Sequence, residues 1–250
     1  SIKDAQMRYV KYTTATMMVF VLCALLTGAD DQPSVDKASI EALKPLRDLV
    51  GDWRGVGLPK RGSTKGAWQE KAAWSYAFDE KRTSLTVSLQ DGKFFKAGRV
   101  APADEAGRFV FIGTLPDGKS TERYVGGLAE DGDLVVDHTE PVEGRPDRIS
   151  FKIVAQGDRL IMLMTRKVGN VQARLAQVGY TREGSDFGGS GIVNECVVTG
   201  GESSRTVEYK GKKYYVCCSG CADYFNKNPE EVLAEYRAKK EKEAKEKEGS

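Results

Sequence analysis

Between Trp53 and Arg182 apolar and polar positions alternate over short runs, each broken by turn residues. Leu85, Val87 and Leu89 alternate with Thr86 and Ser88, and Ile149, Phe151 and Ile153 with Ser150 and Lys152. A period of two sends successive side chains to opposite faces of a strand, so each run has one face for a core and one for water. The runs 52–57, 68–78, 83–90, 93–101, 107–114, 120–128, 132–138, 147–155, 158–167 and 170–182 are the strand candidates. Asp91-Gly92, Asp117-Gly118, Asp131-Gly132, Gly157-Asp158 and Gly169-Asn170 supply tight-turn signals between them. About ten strands in hairpin sequence, with no helical pattern between them, predict an up-and-down meander. Closing it into a barrel removes the exposed edges.

The period changes on either side of this tract. Ile40, Leu43, Leu46 and Val50 recur at helical spacing, Ser34 can cap the start, Asp36 suits the first turn, and Pro45 limits or kinks the helix. One short helix, or two helical turns, is expected there, its apolar stripe covering one end of the meander. Beyond Arg182, Gly184 to Gly191 reads as a flexible joint. Two β-rich runs, Thr206–Tyr209 and Lys213–Val216, then flank Lys210-Gly211 as a hairpin, and Ser219-Gly220 turns into a helix beginning near Cys221. Tyr224, Phe225, Val232, Leu233 and Tyr236 give that helix an apolar face. From Ala238 lysines and glutamates alternate at helical spacing, which predicts a solvated, fraying extension.

Composition narrows the functional classes. With 30% charged residues, 40% apolar and a net charge of +2, the 250-residue chain is globular in character, and its bases are too well matched by acids for a nucleic-acid surface. His138 is the only histidine, so no Ser-His-Asp or Cys-His catalytic set is legible, and an enzyme is the weakest of the functional readings. At the N-terminal side Lys3, Arg8 and Lys11 precede the apolar run Ala15–Leu26, followed by Thr27-Gly28-Ala29. That pattern reads as a secretory signal peptide over residues 1–29, with Met7 a candidate initiator; an uncleaved anchor is the alternative, though the run is short for a membrane span. The expected location is therefore secreted or periplasmic, with no span left after cleavage. Cys23 would leave with the signal.

The remaining chemistry lies in four cysteines. Cys196 stands alone, and about twenty residues later come Cys217, Cys218 and Cys221. A lone thiol followed by Cys-x3-Cys suits a soft metal ion held by thiolates, copper or zinc among them. Outside the cytoplasm a disulfide competes, Cys196 with Cys217 or Cys221. A core of about forty residues needs one staple or the other. Cys218 directly follows Cys217, and is open to being a fourth or alternative ligand or a small buried residue.

Two resemblances rest on these residues. Gly51-Asp52-Trp53 opening the first strand, with Arg182 in Gly-Tyr-Thr-Arg near the last, resembles the calycin-type barrels: lipocalins, fatty-acid-binding proteins and nitrobindin-like domains. The resemblance implies that Arg182 packs over Trp53, and that the interior holds a small apolar ligand unless large side chains fill it. In nitrobindin-like barrels a histidine binds haem, and His138 is the sole candidate; at its strand end a hydrogen-bonded surface histidine is expected instead. Met162 and Met164 share a strand face and are read as core packing rather than copper ligands. The second resemblance is to the YHS/TRASH heavy-metal modules, carried by Cys196, Cys217 and Cys221, by Tyr209-Lys-Gly-Lys-Lys-Tyr214-Tyr215 and by Asn228-Pro229. It implies a treble-clef-like fold with those three cysteines as ligands.

The predicted organisation is thus a signal peptide at 1–29, a mainly β barrel domain at 34–183, a linker at 184–192, a small α+β cysteine module at 193–236 and a charged helical tail at 237–250. The predicted function is export and binding of a soft transition metal through Cys196, Cys217, Cys221 and, as a further candidate, Cys218. The competing reading makes the barrel a carrier of a small apolar molecule, with the module as a structural clip.

Overall fold

A computed structural model describes residues 36–79, 82–183 and 194–248. The predicted signal peptide and linker lie outside these residues.

The alternating runs form ten antiparallel strands: β1 (Gly51–Leu58), β2 (Trp68–Ala77), β3 (Ser84–Gln90), β4 (Ala97–Pro102), β5 (Arg108–Thr114), β6 (Thr121–Leu128), β7 (Leu134–His138), β8 (Arg148–Val154), β9 (Arg159–Val168) and β10 (Val171–Arg182). Each pairs with its neighbour in sequence, and β1 pairs with both β2 and β10, closing the barrel. β4 begins at Ala97, four residues later than the pattern predicts, since residues 91–96 form the turn from β3, in which Phe95 is buried. Its ring lies over Gly113, where a side chain would meet it at 2.5 Å.

Inward positions carry the core. Trp74, Phe95, Phe111, Tyr124 and Phe151 are buried, and their rings meet edge to face or tilted, for example Trp74–Phe151 and Phe111–Phe151 at 5.7 Å. Such contacts add roughly 0.5–1.5 kcal/mol per pair beyond the burial of area. Met162 and Met164 are buried on the same face, as core packing requires. Two buried carboxylates are satisfied by aromatic donors. The Trp68 indole donates to Glu70 at 2.6 Å and the Tyr180 hydroxyl donates to the same carboxylate, while Tyr124 donates to Glu122 at 2.8 Å and Arg145 pairs with it at 2.6 Å.

His138 departs from the expected surface position. Its imidazole is 4% exposed, packed at 4.5 Å on the Tyr124 ring and 3.8 Å from Glu122. Nδ1 accepts from the Glu140 amide at 3.0 Å, while Nε2 is buried without a hydrogen bond. The strand's alternation turns the ring inward even at its last residue.

One end of the barrel is sealed as the calycin resemblance implies. The Arg182 guanidinium stands 4.2 Å from the Trp53 ring centroid and donates to the carbonyls of Val50, Asp48 and Gly157 at 2.7–2.9 Å. The Trp53 indole donates to Leu49 O at 2.9 Å. The carbonyls of Asp48 and Leu49 belong to the 3-10 turn (Lys44–Leu49) that succeeds helix α1 (Lys37–Leu43), and that of Val50 to its C-cap; Leu43, Leu46 and Leu49 are buried there. The cap of α1 is Asp36, which accepts from the Ser39 amide at 3.2 Å. The sequence pattern predicts the cap at Ser34 and Asp36 in the first turn; the helix instead starts at Lys37, so Asp36 takes the cap, and Ser34 lies outside the described residues. Gly51 runs at φ +135°, and a side chain there would meet the Arg182 guanidinium at 2.5 Å.

The chain beyond the barrel forms a hairpin, β11 (Arg205–Tyr209) with β12 (Lys212–Val216), then helix α2 (Ser219–Lys227) and helix α3 (Pro229–Glu248). Asn228-Pro229 separates the two helices, since proline cannot continue the preceding ladder. Barrel and module belong to one compact unit and share one hydrophobic core. Tyr224 of α2 stacks on Phe78 just beyond β2 at 4.8 Å, Ser219 meets Ser75 at 3.3 Å, and Arg205 pairs with Asp52 at 2.6 Å.

Candidate metal centre

Three separate pieces of chain bring the sulfurs together. Cys196 opens a tight turn: its carbonyl accepts from Gly200 at 2.8 Å and its amide donates to Gly201 O at 2.7 Å. This turn is fastened to the hairpin by Val197 N to Tyr215 O at 3.0 Å. Cys217 comes directly after the last residue of β12, and Cys221 lies in the first turn of α2. The sulfurs of Cys196, Cys217 and Cys221 all lie within 4.8 Å of one another, and all three residues are buried. Cys217 and Cys221 are 3.4 Å apart, sulfur to sulfur. All four cysteines are free. Thiolates bound to a tetrahedral zinc at about 2.3 Å stand about 3.8 Å apart, so the group is near the size a soft ion requires.

Cys218 occupies a different position. It is the N-cap of α2, its sulfur accepting from the Cys221 amide at 3.4 Å, and that sulfur lies 3.9 Å from Cys217 but outside the group of three. Adjacent residues in extended backbone direct their side chains apart, and the cap geometry gives Cys218 a backbone donor of its own.

The sulfurs are close enough to perturb one another. Hydrogen bonds from Cys217 and Cys221 hold the Cys196 thiol far below its usual value, and the same two donors hold Cys218 down to about 3. Donation to Cys196 and Cys218 pushes Cys217 up, and burial followed by donation pushes Cys221 up. The N-terminus of α2 adds amide dipoles that favour the anionic sulfurs.

Sequence reasoning missed three residues around this centre. Thr199 Oγ1 lies 3.5 Å from the Cys217 sulfur. Gly220 reads in sequence only as a turn residue, yet a side chain there would lie 1.8 Å from the Tyr76 carbonyl oxygen. Tyr76 itself belongs to β2, and its phenol is held well above its usual value, first by burial and next by the neighbouring cysteines. Nothing local in the sequence marks Tyr76 or Gly220 as partners, because their contact joins distant parts of the chain.

Residues 193–236 match the YHS domain family. No curated protein matches the chain. Among solved structures, the crystal structure of Rv2717c from M. tuberculosis is 18% identical over 57% of this chain and 97% of that one, with a TM-score of 0.35. The barrel assignment rests on strand order and closure rather than on that likeness. The chain therefore combines a closed ten-stranded antiparallel barrel with a C-terminal YHS domain whose cysteines cluster in one buried group.

Proposed function

We propose that this protein is an exported binder of a soft transition-metal ion, copper or zinc, held by the thiolates of Cys196, Cys217 and Cys221. The observation that carries this reading is the convergence of three buried, free sulfurs within 4.8 Å. Thiolates select soft or borderline cations, and a buried anionic group is strongly disfavoured without a counter-charge. Three thiolates alone suit Cu(I); zinc needs a fourth donor, which a water supplies, because the Cys218 sulfur is engaged as the cap of α2. The basic and apolar N-terminal run supports the extracytoplasmic location, which cell fractionation tests directly.

Metal analysis and native mass spectrometry of the reduced full-length protein, loaded separately with Zn2+ and Cu+, test the function. About one ion per chain is expected. Cys196→Ser, Cys217→Ser and Cys221→Ser each abolish stoichiometric retention. Cys218→Ser retains it, because serine also caps a helix. Metal retained by a double Cys217→Ser, Cys221→Ser variant would sink the reading.

A further inference from the structure

We propose that the metal reaches and leaves its sulfurs through the groove between barrel and module, with Cys217 as the first ligand met. This inference rests on the metal-binding reading and adds a path to it. The groove encloses about 850 Å3 and is lined by β-barrel residues, Asp158, Arg182 and Glu183 among them, and by module residues that include Glu202, Arg205, Cys217 and Asp223. Of the three cysteines in the group, Cys217 alone lines it. Cys196 and Cys221 are completely buried, whereas Cys217 keeps 6% of its surface.

Charge favours this path over its neighbour. Four acidic residues, Asp158, Glu183, Glu202 and Asp223, face the groove against two arginines. Arg205 is paired with Asp52 and Glu183 with Arg54, which leaves Asp158, Glu202 and Asp223 against Arg182, itself engaged by backbone carbonyls and the Trp53 ring. A cleft with net negative walls concentrates cations and speeds their capture, most strongly at low salt. The second cavity beside the module, about 250 Å3 between α1 and α3, touches none of the three cysteines. Its lysines, Lys37, Lys44 and Lys239, are each paired with a carboxylate, of Glu235, Glu41 and Glu195, so this cavity has no excess negative charge to draw a cation. The barrel thus supplies one wall of the channel by which the module exchanges its ion.

Stopped-flow mixing of the reduced full-length protein with Cd2+ tests the path, since thiolate-to-cadmium absorbance reports uptake and a chelator reports release. Thr206→Trp places a bulky ring in the groove, and Glu202→Gln with Asp223→Asn removes two of its charges. Thr206→Trp is expected to slow uptake and release by about tenfold at unchanged stoichiometry. The charge variant should slow uptake several-fold at low salt and much less at high salt. Glu41→Trp, in the second cavity, leaves both rates unchanged. Normal stoichiometry with wild-type rates in Thr206→Trp, or slowing by Glu41→Trp, overturns the path while leaving the metal reading intact. Absence of stoichiometric cadmium absorbance in the unsubstituted protein overturns both.

Discussion

At residue scale the contact between Gly220 and the Tyr76 carbonyl fixes how closely module and barrel approach. A methyl group at 1.8 Å from backbone oxygen cannot be relieved by a rotamer change, so either α2 or β2 must move. Overpacking of this kind costs about 1–3 kcal/mol. Gly220→Ala is therefore expected to lower the thermal midpoint by several degrees and to weaken metal retention, since Cys221 is the next residue; calorimetry with and without metal measures both. An unchanged midpoint would show that the two backbones are not in contact. That Cys196, Cys217 and Cys221 belong together is legible from their spacing and from the YHS resemblance, and their sulfurs do converge. Gly220 carries no such mark: Ser-Gly before a helix reads as a turn whether or not a second backbone lies against it.

At the scale of elements, the strands and the hairpin track the alternation of side chains closely. The main shift is at β4, whose start is delayed by the turn over residues 91–96. α1 is short and depends on its cap. Asp36 bonds the Ser39 hydroxyl and amide, and these bonds hold its carboxyl below the usual aspartate value. A depressed acid contributes its stability above the unfolded pKa and loses it as pH falls through the folded one. Asp36→Ala should then cost about 0.5–2 kcal/mol at neutral pH, with the difference fading in acid below the ordinary aspartate range. Denaturant midpoints of both proteins across pH measure this; a difference that persists undiminished in acid would show that the carboxylate is not the cause. In sequence the cap falls to Ser34 and the first turn to Asp36; residues of either type cap helices, and only the starting point of the helix at Lys37 separates the two roles. In α3 the apolar positions Val232 and Leu233 are buried, and the Lys-Glu tract beyond Ala238 continues the helix as the charge pattern predicts.

At the scale of the whole molecule, barrel and module are held by contacts between residues distant in sequence, such as Asp52 and Arg205, 153 positions apart along the chain. Alternation and motif spacing reveal each part separately, but docking depends on shape at the junction, which has no local period. The common core extends from the barrel aromatics to Cys196, Cys217, Cys221 and Phe225. A ligand that binds only the folded state stabilises it by about 4 kcal/mol at a thousand times its dissociation constant, and a shared core spreads that gain beyond the module. All three tryptophans, Trp53, Trp68 and Trp74, belong to barrel strands. Their fluorescence should consequently register saturation of a cluster that contains no indole: the emission-monitored melting curve moves to higher temperature with stoichiometric metal and returns on chelation. A curve indifferent to metal would mean that the two parts unfold independently. The junction would otherwise make the barrel an optical gauge of the thiol site's occupancy, read without any added dye.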